Sequence, residues 1–139
     1  MGLTSLDTSV LVAFLDETDV FHSAAVGVVA DASEGETLLP VVAYSELMVG
    51  VLAAGATAGW FDSVLDSLRI RVGAIDRDVA GLAAAMRAES LRDRRRRQWR
   101  TPDALVVAES IHVGADLIVT TDTRWPAVPG ELEVRVLAR

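Results

Sequence analysis

Four acidic residues stand where a fold of alternating strands and helices would expose them together. Asp7 ends the apolar stretch Leu3-Thr4-Ser5-Leu6 and is followed at once by Thr8-Ser9-Val10-Leu11, a helix start. Asp122 closes Asp116-Leu117-Ile118-Val119-Thr120-Thr121 in the same manner. In an open α/β sheet, ligands bind in the crevice outside the carboxyl ends of the strands, where both acids would lie. Asp103 follows Thr101 and Pro102. Thr as N-cap and Pro at the first helical position would put Asp103 in the first turn of a helix. Glu46 lies in Val41-Val42-Ala43-Tyr44-Ser45-Glu46-Leu47-Met48, where burial would be costly unless the carboxylate is paired or metal-bound.

Each acid also has an ordinary explanation. Asp122 suits a turn, Asp103 suits the positive end of a helix dipole, and Glu46 suits a helix surface. Taken together, the four can converge on one crevice. Such a cluster repels itself unless a hard cation neutralises it. Oxygen donors with no cysteine, and no histidine at ligand spacing, favour Mg²⁺ or Mn²⁺ over Zn²⁺. These ions keep waters and can activate one for attack on phosphorus.

The elements that would position the acids can be read in order. A strand ends at Asp7, and a helix with Thr8 and Ser9 as capping hydroxyls follows. Further helices are expected over His22–Ala32, Val41–Ala54, Ala56–Leu68, Asp76–Arg92 and Thr101–His112. Strands are expected over 37–40, closed by Pro40, and over 69–72, 116–120 and 133–137. Gly55 is the expected left-handed residue beyond its helix. Short apolar strands alternating with helices imply a largely parallel five-stranded sheet covered on both faces. The strands ending at Asp7 and Asp122 would be neighbours at the point where the sheet reverses its growth.

The 139 residues suffice for one domain with one core, spanning 1–139. The absence of cysteine suits a reducing cytoplasm. No basic leader and no bilayer-length apolar run is visible. The net charge is −7, with 20 acids against 13 basic residues, every one of them Arg. A protein that coats nucleic acid would be more basic, so any attraction for a polyanion must be local.

The blocks Leu6-Asp7-Thr8-Ser9-Val10, Ser45-Glu46-Leu47 with Gly50, Pro102-Asp103-Ala104-Leu105-Val106, and Gly114 to Asp122 resemble PIN-domain ribonucleases, most closely VapC-type toxins. The resemblance covers nearly the whole chain. It implies a three-layer α/β/α fold and Mg²⁺- or Mn²⁺-dependent endonucleolytic cleavage of single-stranded RNA. It also implies a homodimer and a cognate antitoxin that inhibits it. The family's acidic quartet falls on Asp7, Glu46, Asp103 and Asp122, and its hydroxyl near the last acid falls on Thr120. Many relatives carry a further acid two places after the fourth, then Phe; here Arg124 and Trp125 stand there. Arg124 removes a possible extra ligand and suggests a phosphate contact instead. Trp125 keeps the aromatic anchor.

The run Arg92-Asp93-Arg94-Arg95-Arg96-Arg97-Gln98-Trp99-Arg100 lies just before Asp103. Arginine can grip phosphates bidentately, and Trp99 could stack on an unpaired base. A solvated helix end or an antitoxin contact would also account for the run. His22 and His112 suggest no motif. Trp60 and Phe61 read as core. Two rivals remain. One is a haloacid-dehalogenase-like phosphatase, disfavoured because Ser9 stands where that chemistry needs a second Asp and because lysine is absent. The other is a PIN-like scaffold that binds RNA or protein without cutting.

Overall fold

Leu3-Thr4-Ser5-Leu6 forms the middle strand of the protein. The computed structural model describes residues 2–139. In chain order the elements are β1 (Leu3–Leu6), α1 (Thr8–Leu15), α2 (His22–Ala32), β2 (Glu36–Leu39), α3 (Val41–Ala53), α4 (Ala58–Ser67), β3 (Ile70–Val72), α5 (Arg77–Leu91), α6 (Thr101–His112), β4 (Leu117–Thr120) and β5 (Glu133–Val136). The sheet order is β3-β2-β1-β4-β5, and every neighbouring pair is parallel. The chain builds outward from β1 through β2 to β3, then returns to lay β4 and β5 on the other side. The reversal therefore falls between β1 and β4.

Parallel strands need crossover connections, and the helices supply them on both faces in a three-layer α/β/α arrangement. Burial of the inner strands β1, β2 and β4 on two sides explains why they lack apolar–polar alternation, while the edge strands β3 and β5 are largely exposed. Leu6, Leu38, Leu39, Ile118 and Val119 are all essentially inaccessible. Val10, Leu11, Phe61, Val79, Val106 and Val107 cover them from the helices. Each such side chain contributes about 1.5–3 kcal/mol on burial. The apolar run Ala104–Ala108 is thus a core segment that carries Asp103 at its amino end.

Two helix termini differ from the sequence expectation. Thr8 and Ser9 do not cap α1; the N-cap is Asp7, and no side chain caps that terminus. Thr101 is the first helical residue of α6 rather than its cap, which is Arg100, and again no side chain caps it. In both places the hydroxyl residue lies one or two positions inside the helix. Gly55 (φ 84°) and Gly114 (φ 77°) sit in the left-handed region just past α3 and α6, as the helix ends require. No helix among the described residues is long and apolar enough to cross a membrane.

Candidate metal-dependent active site

The register of β1 against β4 sets the first contact of the site. Leu6 lies opposite Val119, and the ladder extends one step further, with the Asp7 N–H donating to the Val119 carbonyl at 3.0 Å. Asp7 is thereby brought beside Thr120. The Thr120 hydroxyl donates to Asp7 Oδ2 at 2.8 Å and accepts from the Asp122 N–H at 3.0 Å. One hydroxyl therefore ties the two strand-end acids together. The Ser9 hydroxyl donates to the same Asp7 oxygen at 3.3 Å and accepts from the Thr121 N–H at 3.1 Å.

Glu46 reaches the site from α3. The Thr8 hydroxyl donates to its Oε1 at 3.0 Å, bridging α1 and α3. The α3 amino end is itself held by a buried acid of α6, because the Val41 N–H donates to Glu109 Oε1 at 3.1 Å. Asp103 enters from the first turn of α6. Asp7, Glu46, Asp103 and Asp122, from four different parts of the chain, line one crevice of about 680 Å³. Thr8, Ser9, a fifth acid Asp19, the apolar Val12, Val20 and Phe21, and Arg124 also line it. Thr8 and Ser9 had a competing local role as caps, so only the tertiary structure shows that their hydroxyls serve the carboxylates.

The electrostatics are those of crowded acids. Asp103 is pushed up to about 6, first by burial and then by the charges of Asp7, Asp122 and Glu46, with Arg100 opposing. Asp7 is also raised, chiefly by burial; hydrogen bonds from Thr120, Thr8 and Ser9 oppose the rise, and the charge of Glu46 adds to it. Asp122 goes the other way. Burial pushes it up, but hydrogen bonds and charge from Arg124, with Arg100 behind, outweigh burial and leave it lowered.

Arg124 lies against Asp122. Its backbone N–H and Nε donate to Asp122 Oδ1 at 2.7 and 3.2 Å, and Nη2 donates to Oδ2 at 3.3 Å. A second groove adjoins the crevice, sharing Asp103, Asp122 and Arg124 with it and adding Arg97 and Arg100. Beyond it, a third depression is lined by Arg92, Arg95, Arg96 and Arg97 with Trp99 and Trp125. Arg97 also donates to the Thr123 carbonyl. Arg94 is exposed but lines none of these grooves.

Trp99 does not present a face for base stacking. It is only 4% exposed and packs on Trp125 with ring centroids 5.7 Å apart. Its backbone N–H donates to Ser90 Oγ, and its backbone carbonyl accepts from Arg87 Nε. Burial of this indole anchors the arginine loop to α5, which explains an aromatic residue in an otherwise charged run. Trp60 and Phe61 divide: Phe61 is fully buried, whereas Trp60 is 49% exposed. His22 Nδ1 is 2.8 Å from the Ala13 carbonyl oxygen, a structural contact.

A tighter acidic group lies elsewhere. Asp76, Asp78 and His112, all exposed, have ligand atoms within 4.8 Å of one another. Asp76 is the N-cap of α5 and accepts from the Val79 N–H, so a helix terminus accounts for it. His112 is at the far end of α6 from Asp103, about 14 Å along the axis at 1.5 Å per residue. This group is separate from the crevice.

A PIN-domain family model matches residues 5–131. The chain belongs to the PIN-domain family. Among solved structures, this PIN domain is similar to VapBC2 from Rickettsia felis, whose crystal structure holds a promoter DNA fragment. The TM-score is 0.74 at 15% identity, over 98% of this chain and 99% of that one. It is also similar to the Mycobacterium tuberculosis toxin VapC20, described as cleaving the sarcin–ricin loop, with a TM-score of 0.61 at 16% identity over 83% and 86% of the two chains. FitAcB from Neisseria gonorrhoeae gives a TM-score of 0.61 at 22% identity over 87% and 88%. No curated protein matches the chain.

Proposed function

We propose that this PIN domain is a divalent-metal-dependent endoribonuclease, the toxin of a toxin–antitoxin pair, cutting single-stranded or loop regions of RNA. The observation that carries the reading is the convergence of Asp7, Glu46, Asp103 and Asp122 on one crevice, with Asp103 raised to about 6 partly by its three companions. That is the electrostatic state of a carboxylate set short of positive charge. The donors are all oxygen, which fits Mg²⁺ or Mn²⁺. Asp7, Glu46, Asp103 and Asp122 would hold the ion. When bound, it would supply an activated water and charge stabilisation for phosphodiester hydrolysis.

The chain's own residues do the positioning. Thr120 and Ser9 both hold Oδ2 of the Asp7 carboxylate, and Thr8 holds Glu46. Arg97, Arg100 and Arg124 border the route into the crevice and would hold the RNA backbone, with Arg95 and Arg96 extending the contact. An overall charge of −7 makes such a local basic border necessary for RNA to approach.

A further solved structure of similar fold, a toxin–antitoxin complex from Klebsiella pneumoniae with a TM-score of 0.69 at 18% identity over 93% of this chain and 94% of that one, supports an antitoxin partner. The apolar flank of Val12, Val20 and Phe21 beside the acids would take an antitoxin segment. Val49, Leu52 and Trp60, all well exposed on α3 and α4, would serve a homodimer contact.

The test is incubation of purified protein with total cellular RNA in Mg²⁺ or Mn²⁺, followed by mapping of new ends. Defined cuts that vanish with EDTA and with Asp7→Asn are expected. No cutting in either ion, or cutting that survives EDTA, would overturn the reading.

A further inference from the structure

The Asp122 carboxylate already has a cation. Arg124 engages both of its oxygens through Nε and Nη2, and its backbone N–H adds a third donor to Oδ1. The pair is built locally. A carboxylate accepting from the N–H two residues on closes an Asx turn, and the turn swings the Arg124 side chain back over Asp122. Arg124 lines both the carboxylate crevice and the adjoining groove, and the charge of Asp103 also acts on it. A guanidinium presents two parallel donors to a carboxylate and keeps its charge at any pH the protein meets.

We propose that Arg124 takes the place of a second cation, so that the crevice holds a single divalent ion. This rests on the nuclease reading above and goes beyond it, since that reading leaves the number of ions open. Charge supports it. The carboxylates of Asp7, Glu46, Asp103 and Asp122 would be matched by one divalent ion together with the guanidinium groups of Arg124 and Arg100, the latter also acting on Asp103 and Asp122; the fifth acid of the wall, Asp19, accepts from the Phe21 N–H. A second divalent ion would meet the guanidinium on Asp122 as a like charge. Asp7, Glu46 and Asp103 would then supply the ligands that no guanidinium competes for, and Asp122, shared with Arg124, would complete the set around the one ion. Arg124 in that position can donate to a phosphate oxygen without leaving the site.

The experiment counts ions rather than cuts. Mn²⁺ is titrated into the EDTA-stripped full chain, and bound ion is measured by loss of the free-ion paramagnetic resonance signal and by calorimetry. Wild type is expected to bind one Mn²⁺ per chain. Arg124→Ala frees Asp122 and is expected to bind two, whereas Arg124→Lys keeps the charge and is expected to bind one. Arg124 is exposed, and circular dichroism melts confirm that each variant is folded. Two ions in wild type, or one ion in both wild type and Arg124→Ala, overturns the inference and leaves the nuclease reading standing. No Mn²⁺ bound by any of the three overturns the nuclease reading and this inference with it.

Discussion

Replacing Asp103 by Asn should stabilise the metal-free protein while removing its activity. In the folded chain Asp103 is pushed from 3.8 up to about 6 by burial and by the other three acids. Each tenfold change in proton affinity corresponds to about 1.4 kcal/mol, so the rise would cost the folded state about 3 kcal/mol once the group is ionised. The side chain is only half-buried, and solvent screening halves that to about 1.5 kcal/mol. Asp103 also gains about 0.5 kcal/mol from its place in the first turn of α6, which Asn forfeits. The net gain for Asp103→Asn is therefore about 1 kcal/mol, or about 3 °C in Tm for a domain of this size.

The pH dependence identifies the cause. The unfolded chain releases this proton near 3.8, whereas the folded chain holds it to about 6. Stability from this group is thus fully present below about pH 4, is lost as pH rises to about 6, and stays lost above. The variant has no such proton, so its advantage should be absent at pH 3.5 and complete at pH 7.5. Urea unfolding in EDTA at those two pH values measures both. Mg²⁺ should then reverse the order at pH 7.5, raising the Tm of wild type well above that of the variant. A variant less stable than wild type at pH 7.5 in EDTA would refute the electrostatic reasoning. An advantage of equal size at pH 3.5 would assign the gain to packing instead.

Asp7→Asn should leave the fold intact and abolish Mg²⁺-dependent RNA cleavage; full activity at matched protein concentration counts against Asp7 as a ligand. Trp99→Ala should cost about 3–5 kcal/mol in urea unfolding, because it empties a core position; a variant as stable as wild type would contradict the packing seen against Trp125. Changing Arg94, Arg95, Arg96 and Arg97 to Gln should weaken binding of any RNA sequence and lower the salt slope by about 0.7 per lost phosphate contact. Affinity and slope both unchanged would assign the run to solvent or antitoxin. Arg69, at φ 57° just past α4, holds a conformation that costs a side chain about 1 kcal/mol; Arg69→Gly should raise stability by up to that amount, and a lower Tm would show that the arginine side chain does something the backbone does not require.

Asp7, Asp122 and Asp103 were legible because each is announced by its own neighbours, whereas Glu46, which its apolar neighbours suggested would be buried, is exposed on α3 and is marked only by the fold. A strand end, a second strand end and a Pro-marked helix start are local signals, and the parallel topology that joins them follows from alternating elements. The register is not local. That Thr120 stands opposite Asp7 depends on β1 and β4 pairing across more than a hundred residues; the same pairing takes Ser9 away from capping, and the packing of α3 beside α1 takes Thr8. Both hydroxyl residues satisfy two sequence rules at once, and tertiary geometry decides between them.

Trp99 misleads for a related reason. Charge on every side makes it read as exposed, yet its burial is set by Trp125 and by α5, which the run itself cannot reveal. The arginines are then displayed because the tryptophan is not. An indole fixed in the core holds the loop at one point, and the flanking guanidinium groups project from it along the groove that leads to Asp103 and Asp122. The departure at Arg124 completes the arrangement. What reads in sequence as a lost acid is in the fold a gained cation, bound to the carboxylate two residues before it. A charge reversal in so crowded a cluster leaves fewer carboxylates for a metal to neutralise.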